Sequence, residues 1–519
     1  MTAFATLPLL ALALLSPTLT LVRLFQQKEW RLDRLREHLT KEGWASQLFG
    51  TTRPALGILW IIALVIIVAL GMMQSFDTAC TLALLTALAL LGFMQVGIGR
   101  QRMPVWTQKA LIVTILAIAL PVALGFGMLL KPSSITTIAT GITALTPPLW
   151  VFIAWAVFLP IDTVMKSRII ARAESARLSH PNLRVIGITG SVGKTTMKAL
   201  LLHVLKEKGA IATPDRVNSE IGVARWFTKL LATEPATSDR IVIVEMGAYR
   251  VGEIALLCRM TKPVIGVITV VGTQHLSLFG GKDRILHAKG ELFDALPKTG
   301  MAFTSTDQEA FEALKKRAPC EVTGVGTDHR AEVRITDIEE TGEGVRFRAF
   351  DTDIRSGLAG THSVTGIAIA IAVAAKLGVR PQQSARLLPT FRRMQSTFEV
   401  KNMNGVSVLD DSYNSSPESV SAAIRWAATR PEKNKILLLE GIIELGDQEE
   451  LIHRELAELA APVFTTVYTA HTRTYTYVRD ILGSRVHEAV MAGPAPEGSL
   501  VVICGRVSPL VIRRLLPAS

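Results

Sequence analysis

Cysteine is scarce and scattered. Cys80, Cys258, Cys320 and Cys504 are the whole complement of the 519 residues, with no CxxC pair and no metal-ligand spacing. That excludes a disulfide framework and a finger-type zinc site, and makes reduced cytosolic thiols the expectation. Internal repeats and low-complexity tracts are also missing. Acidic residues are in deficit, 44 Asp and Glu against 56 Lys and Arg, for a net charge of +12. An excess of that sign suits nucleic acid, but much of it lies in short loops between apolar runs, where membrane topology accounts for it. No nucleic-acid partner is expected.

What is abundant is apolar sequence, unevenly spread, with a mean hydropathy of +0.35. Five stretches, at about 3–22, 55–73, 78–98, 110–130 and 143–161, are near or above the length that crosses a bilayer, which is roughly 20 residues. The first lacks the basic start and small-residue cleavage site of a signal peptide, so it reads as a span. Basic loops alternate with bare ones. Arg23, Lys28, Arg31, Arg34, Arg36, Lys41 and Arg53 lie in the first loop, Arg100, Arg102 and Lys109 in the third, and Lys166, Arg168, Arg172 and Arg177 follow the fifth span. Segment 74–77 has no Lys or Arg and 131–142 has only Lys131. By the positive-inside rule the N-terminus lies outside and everything after about 162 is cytoplasmic, giving a multi-pass protein of the inner or plasma membrane. Segment 26–48 reads either as an interfacial amphipathic helix or as a loop helix.

From about residue 180 the composition is that of a soluble α/β enzyme. Residues 162–183 form a polar, basic linker, 184–394 an α/β unit and 395–519 a second one. Alternating strands and helices imply a parallel sheet with helices on both faces. The period-two stretch 331–350 reads as a peripheral hairpin. In the second unit strands are expected near Val406–Leu409, Ile436–Leu439, Val463–Tyr468 and Leu500–Cys504.

Chemistry first appears at Arg184–Gly190, an apolar strand running into glycine, followed by Ser191, Val192, Gly193, Lys194, Thr195 and Thr196 and then a helical run. A strand, a glycine turn ending in Gly-Lys-Thr and a helix make a phosphate cradle: backbone N–H groups face the anion, the lysine reaches the outer phosphates, and the threonine hydroxyl can hold Mg²⁺. The full Walker spacing is absent, since Ile188 stands where its first glycine belongs. Glu245 ends the strand that begins at Ile241, where a carboxylate can hold a phosphate-bridging Mg²⁺. The bland alternative is a surface acid. His275, after the strand at 264–271, is alone more often structural than a ligand, and Lys289 alone is a solvated helix lysine.

The short form Thr189 to Thr196 resembles the Mur ligase family. So, in order, do Val244-Glu245-Met246-Gly247-Ala248, Ile268 to Leu276, Ala288-Lys289-Gly290-Glu291, Asp410-Asp411-Ser412-Tyr413-Asn414 with Pro417, Glu444-Leu445-Gly446 and His453-Arg454-Glu455-Leu456. The later motifs are similar to the muramoyl-tripeptide D-alanyl-D-alanine ligase branch. The resemblance covers about 183–519. It implies a Mur-type P-loop ATPase domain and a Rossmann-like C-terminal ligase domain behind an α-helical membrane region. It also implies ATP and Mg²⁺ as cofactors, and peptide-bond formation through an acyl phosphate. By the same resemblance Thr195, Glu245, His275 and a carbamylated Lys289 hold metal, Asp411 contacts the nucleotide, and Asn218, Tyr413 and Asn414 contact substrate. The expected partners are a muropeptide-like substrate, small or lipid-linked, an amino-acid or dipeptide amine, and the bilayer.

Several positions depart from the family pattern. Gly366 stands for an asparagine near the adenine, Thr397 for an arginine (Arg392 and Arg393 are out of register), Val270 for an asparagine, and Glu440-Gly441-Ile442 for Gly-Asp-Met. The family's soluble UDP-binding domain is replaced by the apolar region. Either the substrate is not a UDP-sugar or its handle is held differently. Two other readings stay open at this point: a membrane-bound poly-γ-glutamate-type synthase, and a catalytically weak nucleotide-binding scaffold for wall synthesis.

Overall fold

The computed structural model describes residues 2–72, 76–130, 133–341, 344–391, 397–413, 415–442 and 444–516. Asn414, Arg392 and Arg393 lie outside them. The chain divides into two compact units, Met1–Ser167 and Arg168–Ser519.

Helices make up the first unit: α1 (Thr2–Gln27), α2 (Leu32–Glu42), α3 (Trp44–Phe49), α4 (Thr52–Ala69), α5 (Asp77–Gly97), α6 (Gln108–Leu129), α7 (Ser134–Leu145) and the first part of α8 (Pro147–Leu178). Among the described residues five of them, α1, α4, α5, α6 and α8, are long and apolar enough to cross a membrane. Some polar side chains inside the bundle are paired, while others, such as Thr18 and Thr81, bury a hydroxyl without a partner among the described residues. Arg53 donates to the carbonyls of Ala144 (2.9 Å) and Ala13 (3.3 Å), and Ser16 to Gln95 (2.8 Å) and Gln101 (2.6 Å). Such pairing is what a buried polar group requires. The expected loop at 131–142 instead carries most of α7, which Ser133 starts with a capping box.

The residues read as a linker are also helical, because α8 continues to Leu178. No glycine or proline interrupts it after Pro160. From Arg168 on it has a core to cover: Ala173 is buried, with Ile169, Ile170 and Ala176 packed around it. Arg177 ties the helix end down, donating to Thr261 O (2.9 Å) and Leu183 O (3.1 Å).

The second unit contains three sheets. The first holds β1 (Arg184–Thr189), β2 (Ile211–Ala212), β3 (Ile241–Glu245), β4 (Ile265–Ile268), β5 (Met301–Ser305), β6 (Glu321–Gly326) and β7 (Val333–Arg334) in the order β2-β3-β1-β4-β5-β6-β7. All its pairs are parallel. Strand β3 is buried along its length, as a parallel strand covered on both faces must be. One face carries Ile186, Ile188, Ile241 and Ile243 against α9 (Lys194–Val204). The other carries Val185, Val242 and Val244 against α10 (Glu220–Leu231), α11 (Glu253–Thr261) and, after the short α12 (Leu276–Phe279), α13 (Lys282–Asp294). The stretch read as a hairpin is more than that. Val333–Arg334 joins the main sheet, and β8 (Thr336–Thr341), β9 (Gly344–Ala349) and β10 (Thr352–Ser356) form an antiparallel sheet of three strands.

The third sheet runs β11-β12-β16-β13-β14-β15, from β11 (Glu399–Met403), β12 (Val406–Asp411), β13 (Lys435–Leu439), β14 (Thr466–Thr469), β15 (Val486–Glu488) and β16 (Leu500–Cys504). Only β11 is antiparallel to its neighbour. The strand expected at Val463–Tyr468 starts later, at Thr466, because Val463 and Phe464 close the preceding helix with bonds to Ala460 O. The expected α/β architecture, a parallel sheet with helices on both faces followed by a second, largely parallel sheet, is present.

Candidate active site

The turn after β1 is built for a backbone that must come close to something. Gly190 has φ +145°, and a Cβ there would lie 2.0 Å from Thr269 Oγ1. Gly193, at φ +85°, starts the helix that begins with Lys194. The turn is locked against the segment after β4: Ser191 N donates to Val270 O (2.6 Å) and Thr269 Oγ1 to Val192 O (2.6 Å). Val270 therefore serves through its backbone, and its side chain is exposed. Lys194 Nζ donates to Gly190 O (2.7 Å) and Ser191 O (2.9 Å), and burial pushes its pKa down. Val192 and Thr196 lie in the same turn and helix start.

Glu245 is buried at the end of β3 and its carboxylate is fully engaged. Oε1 accepts from Thr195 Oγ1 (3.1 Å) and Asn218 Nδ2 (3.2 Å), and Oε2 lies 3.2 Å from Lys198 Nζ. Asn218, expected at the substrate, thus sits beside the carboxylate expected to hold metal. Lys198 was not anticipated, although it is one helical turn from Lys194 and its apolar neighbours Met197, Leu200 and Leu201 signal a buried face. Both partners are almost without solvent, so loss of one leaves an unpaired buried charge. Lys198→Met should cost about 3–5 kcal/mol of stability, read as a lowered unfolding midpoint in chemical denaturation. An unchanged midpoint would mean that Lys198 reaches water.

His275 adopts a left-handed conformation, φ +61°. Its Nδ1 pairs with the carboxylate of Glu444, from the loop after β13, and its ring meets Tyr249 edge-on at 4.6 Å. Burial lowers its pKa, with Glu444 opposing. Lys289 is 3% exposed on α13. Its Nζ lies 3.4 Å from Ala248 O and 5.5 Å from the centroid of the Phe279 ring. Burial, then the charge of Lys194, holds its pKa well below the usual lysine value, against the pull of Glu253 and Glu291. Glu291 is otherwise occupied, accepting from Gly252 N (2.5 Å) and Ala255 N (2.9 Å) at the start of α11. The charges of Lys194 and Lys289 also lower the His275 pKa.

The second parallel sheet contributes residues to the same segment. Glu418, in the first turn of α14 (Pro417–Ala428), accepts from Thr273 N (2.7 Å) and Thr273 Oγ1 (2.9 Å). Gly272 is needed beside it, since a Cβ would lie 2.2 Å from Glu418 Oε1. Asp411 is buried at the end of β12, with Oδ1 accepting from Phe398 N (3.0 Å). Tyr413 lies under the Arg216 guanidinium, 5.8 Å from its ring centroid, and its carbonyl accepts from Arg506 Nε (3.2 Å). Two of the departures also have physical settings. Gly441 has φ +107° and no room for a side chain, with Thr474 Oγ1 2.5 Å from where a Cβ would be. Gly366 faces open space, its nearest such neighbour being Met197 Cε at 4.0 Å.

Among the described residues no three His, Cys, Asp or Glu side chains converge as a metal site. The oxygens of Thr195 and Glu245 beside the phosphate-type turn fit a Mg²⁺ that takes its remaining ligands from nucleotide and water. His275 and Lys289 fit a second ion only if Lys289 carries an anionic oxygen group, because a lysine cation would repel it.

Residues 188–374 match the family described as the Mur ligase middle domain. The UDP-N-acetylmuramoyl-tripeptide–D-alanyl-D-alanine ligase of Bacillus subtilis (strain 168) is 31% identical over 312 residues, 59% of this chain and 66% of that protein. The enzyme of the same name from Mycobacterium tuberculosis (strain H37Rv) is 34% identical over 307 residues, 56% of this chain and 59% of its own length. The chain thus spans less than two thirds of these relatives. The solved MurF ligase of Thermotoga maritima in complex with ADP superposes with a TM-score of 0.56 at 26% identity, covering 66% of this chain and 81% of that one. MurF from Acinetobacter baumannii gives a TM-score of 0.59 at 21% identity over 66% of this chain and 78% of that one, a likeness of fold. With the phosphate turn, the strand-end glutamate and both parallel sheets in the order described, residues 188–374 form a Mur ligase middle domain, and the catalytic unit around them is similar to the MurF ligases.

Proposed function

We propose that this protein is an ATP-dependent ligase that forms an amide bond between a muramoyl-peptide carboxylate and an amine, most simply D-alanyl-D-alanine. The observation that carries the reading is the grouping of Lys194, Thr195 and Glu245 at the end of the central parallel sheet, in a segment matching the Mur ligase middle domain. In this reading a carboxylate oxygen of the acceptor attacks the γ-phosphorus of ATP and ADP leaves. The amine then attacks the acyl carbon, and phosphate departs with that oxygen. Lys194 exchanges its two loop carbonyls for phosphate oxygens and spreads the developing charge. Thr195 and Glu245 would hold Mg²⁺, which would neutralise phosphate charge. Asp411 and Tyr413 would face nucleotide and substrate from the third sheet. Lys289, its pKa depressed, offers the neutral amine that CO₂ requires: an Nζ–C bond forms and a proton leaves, and the resulting carbamate, with His275, would hold a second divalent ion. The relatives' names favour this activity over a poly-γ-glutamate-type synthase or an inert scaffold. ADP release by purified protein should need both a muramoyl-tripeptide and D-alanyl-D-alanine. Release that ignores the amine would sink the reading.

We further infer that the first unit lies in a membrane and that the catalytic unit is cytoplasmic. Helix α4 leaves Ile58, Leu59, Ile62, Val65 and Ile66 at least half exposed, a continuous apolar face of the kind lipid covers. The acceptor is then a muropeptide reached at the membrane surface, free or lipid-linked. A cysteine introduced at Ser134 should react with an impermeant thiol reagent in intact cells, and one at Asn182 should not. The reverse pattern would remove the access to cellular ATP that the proposed reaction needs.

A further inference from the structure

The contact between His275 and Glu444 joins two different sheets of the catalytic unit. His275 follows β4 and Glu444 follows β13. Both are non-glycine residues in the left-handed region, at φ +61° and φ +64°. Such conformations persist only where the surroundings over-determine them, and they gather at functional sites. Here the surroundings are visible. Ser277 N donates to Glu444 O (3.0 Å), and Gly446 closes onto Ser277, whose Cβ would lie 3.1 Å from a Cβ at 446. Tyr249 holds the other side of the imidazole. The carboxylate therefore meets the ring from a backbone clamped at both ends.

An imidazole whose Nδ1 faces a carboxylate keeps its proton on Nδ1 and presents Nε2 as a lone pair. Metal-bound histidines are oriented in this way, by a carboxylate behind the ring. We propose that Glu444 is a positioning residue for His275: it fixes the Nδ1–H tautomer and aims Nε2 at a divalent cation. Because it reaches across from the other sheet, that cation site is complete only while the two sheets are docked through the 272–277 turn. The inference rests on the reading of His275 as a metal ligand, and the test separates the two.

The experiment is a Mn²⁺ titration of the purified full-length protein with a non-hydrolysable ATP analogue, free Mn²⁺ being read by electron paramagnetic resonance. The wild type should bind two ions. Glu444→Gly removes the carboxylate and relieves the backbone at φ +64°, so the protein should stay folded. Its second Mn²⁺ should weaken by roughly 10–100-fold, with the first unchanged. Glu444→Gln keeps an acceptor oxygen for Nδ1–H and should lose less. Two Mn²⁺ ions bound with wild-type affinity in both variants would overturn the role of Glu444 and leave His275 as a ligand. Equal weakening of both ions, the signature of a merely structural contact, would overturn it too. A wild type that binds only one Mn²⁺ would overturn the metal reading of His275 and this inference with it.

Discussion

Lys194→Ala should lower ATP turnover by roughly 10³-fold or more while the protein stays folded. The phosphate turn places one amine at the start of α9, bonded among the described residues to Gly190 O and Ser191 O of its own loop. Those carbonyls are weak partners for a cation, so the amine is free to move to phosphate oxygens when nucleotide arrives. Phosphoryl transfer draws its acceleration mostly from positioning and charge stabilisation, and a single such donor is worth several kcal/mol of barrier. The fold does not depend on it. The turn is held by backbone bonds from Ser191 and by Thr269, and the core below by Ile186 and Ile188. Steady-state ADP release and the thermal midpoint check the two halves. A loss of turnover below tenfold would remove Lys194 from the reaction.

Lys289→Ala should abolish ligation, and Lys289→Arg should not restore it. An ordinary lysine amine titrates near 10.4. This one is buried over the Phe279 ring with Lys194 as a charged neighbour, and both effects drive it toward the neutral form. A neutral amine is the form that adds CO₂. The carbamate that results carries the opposite charge and offers the oxygen ligands that Mg²⁺ prefers. Added bicarbonate should raise the activity of protein prepared without it, and short carboxylic acids should partly restore Lys289→Ala by filling the vacated space. The competing account is a lysine that merely packs its stem against Phe279 and takes no part in the reaction. It predicts wild-type activity for Lys289→Arg, which would remove the carbamate from the mechanism.

The elements legible in the sequence are those with strong local signals. The glycine turn at 190–193 lies after a buried strand, Glu245 closes an apolar run, and the five apolar stretches became five long helices. What was missed depends on contacts distant in the chain. Lys198 looks like any helix lysine until Glu245, 47 positions on, is brought to 3.2 Å. Glu418 and Glu444 lie in the second parallel sheet's segment and act on Thr273 and His275, a pairing that no local spacing encodes. The linker expected at 162–183 is helical because Ala173 and its neighbours have a partner face to bury, which composition cannot reveal. Gly441 stood out only as a departure from the family's Gly-Asp-Met pattern. Its backbone at φ +107°, with Thr474 against it, shows that glycine is required there.

The most direct test of an acyl-phosphate ligase follows one oxygen atom. The purified protein is given ATP, D-alanyl-D-alanine and a muramoyl-tripeptide whose terminal carboxylate carries ¹⁸O. If that carboxylate attacks the γ-phosphorus and the amine later expels phosphate, one ¹⁸O should enter inorganic phosphate for each amide formed. Phosphate free of ¹⁸O, released without amide product, would contradict the assignment.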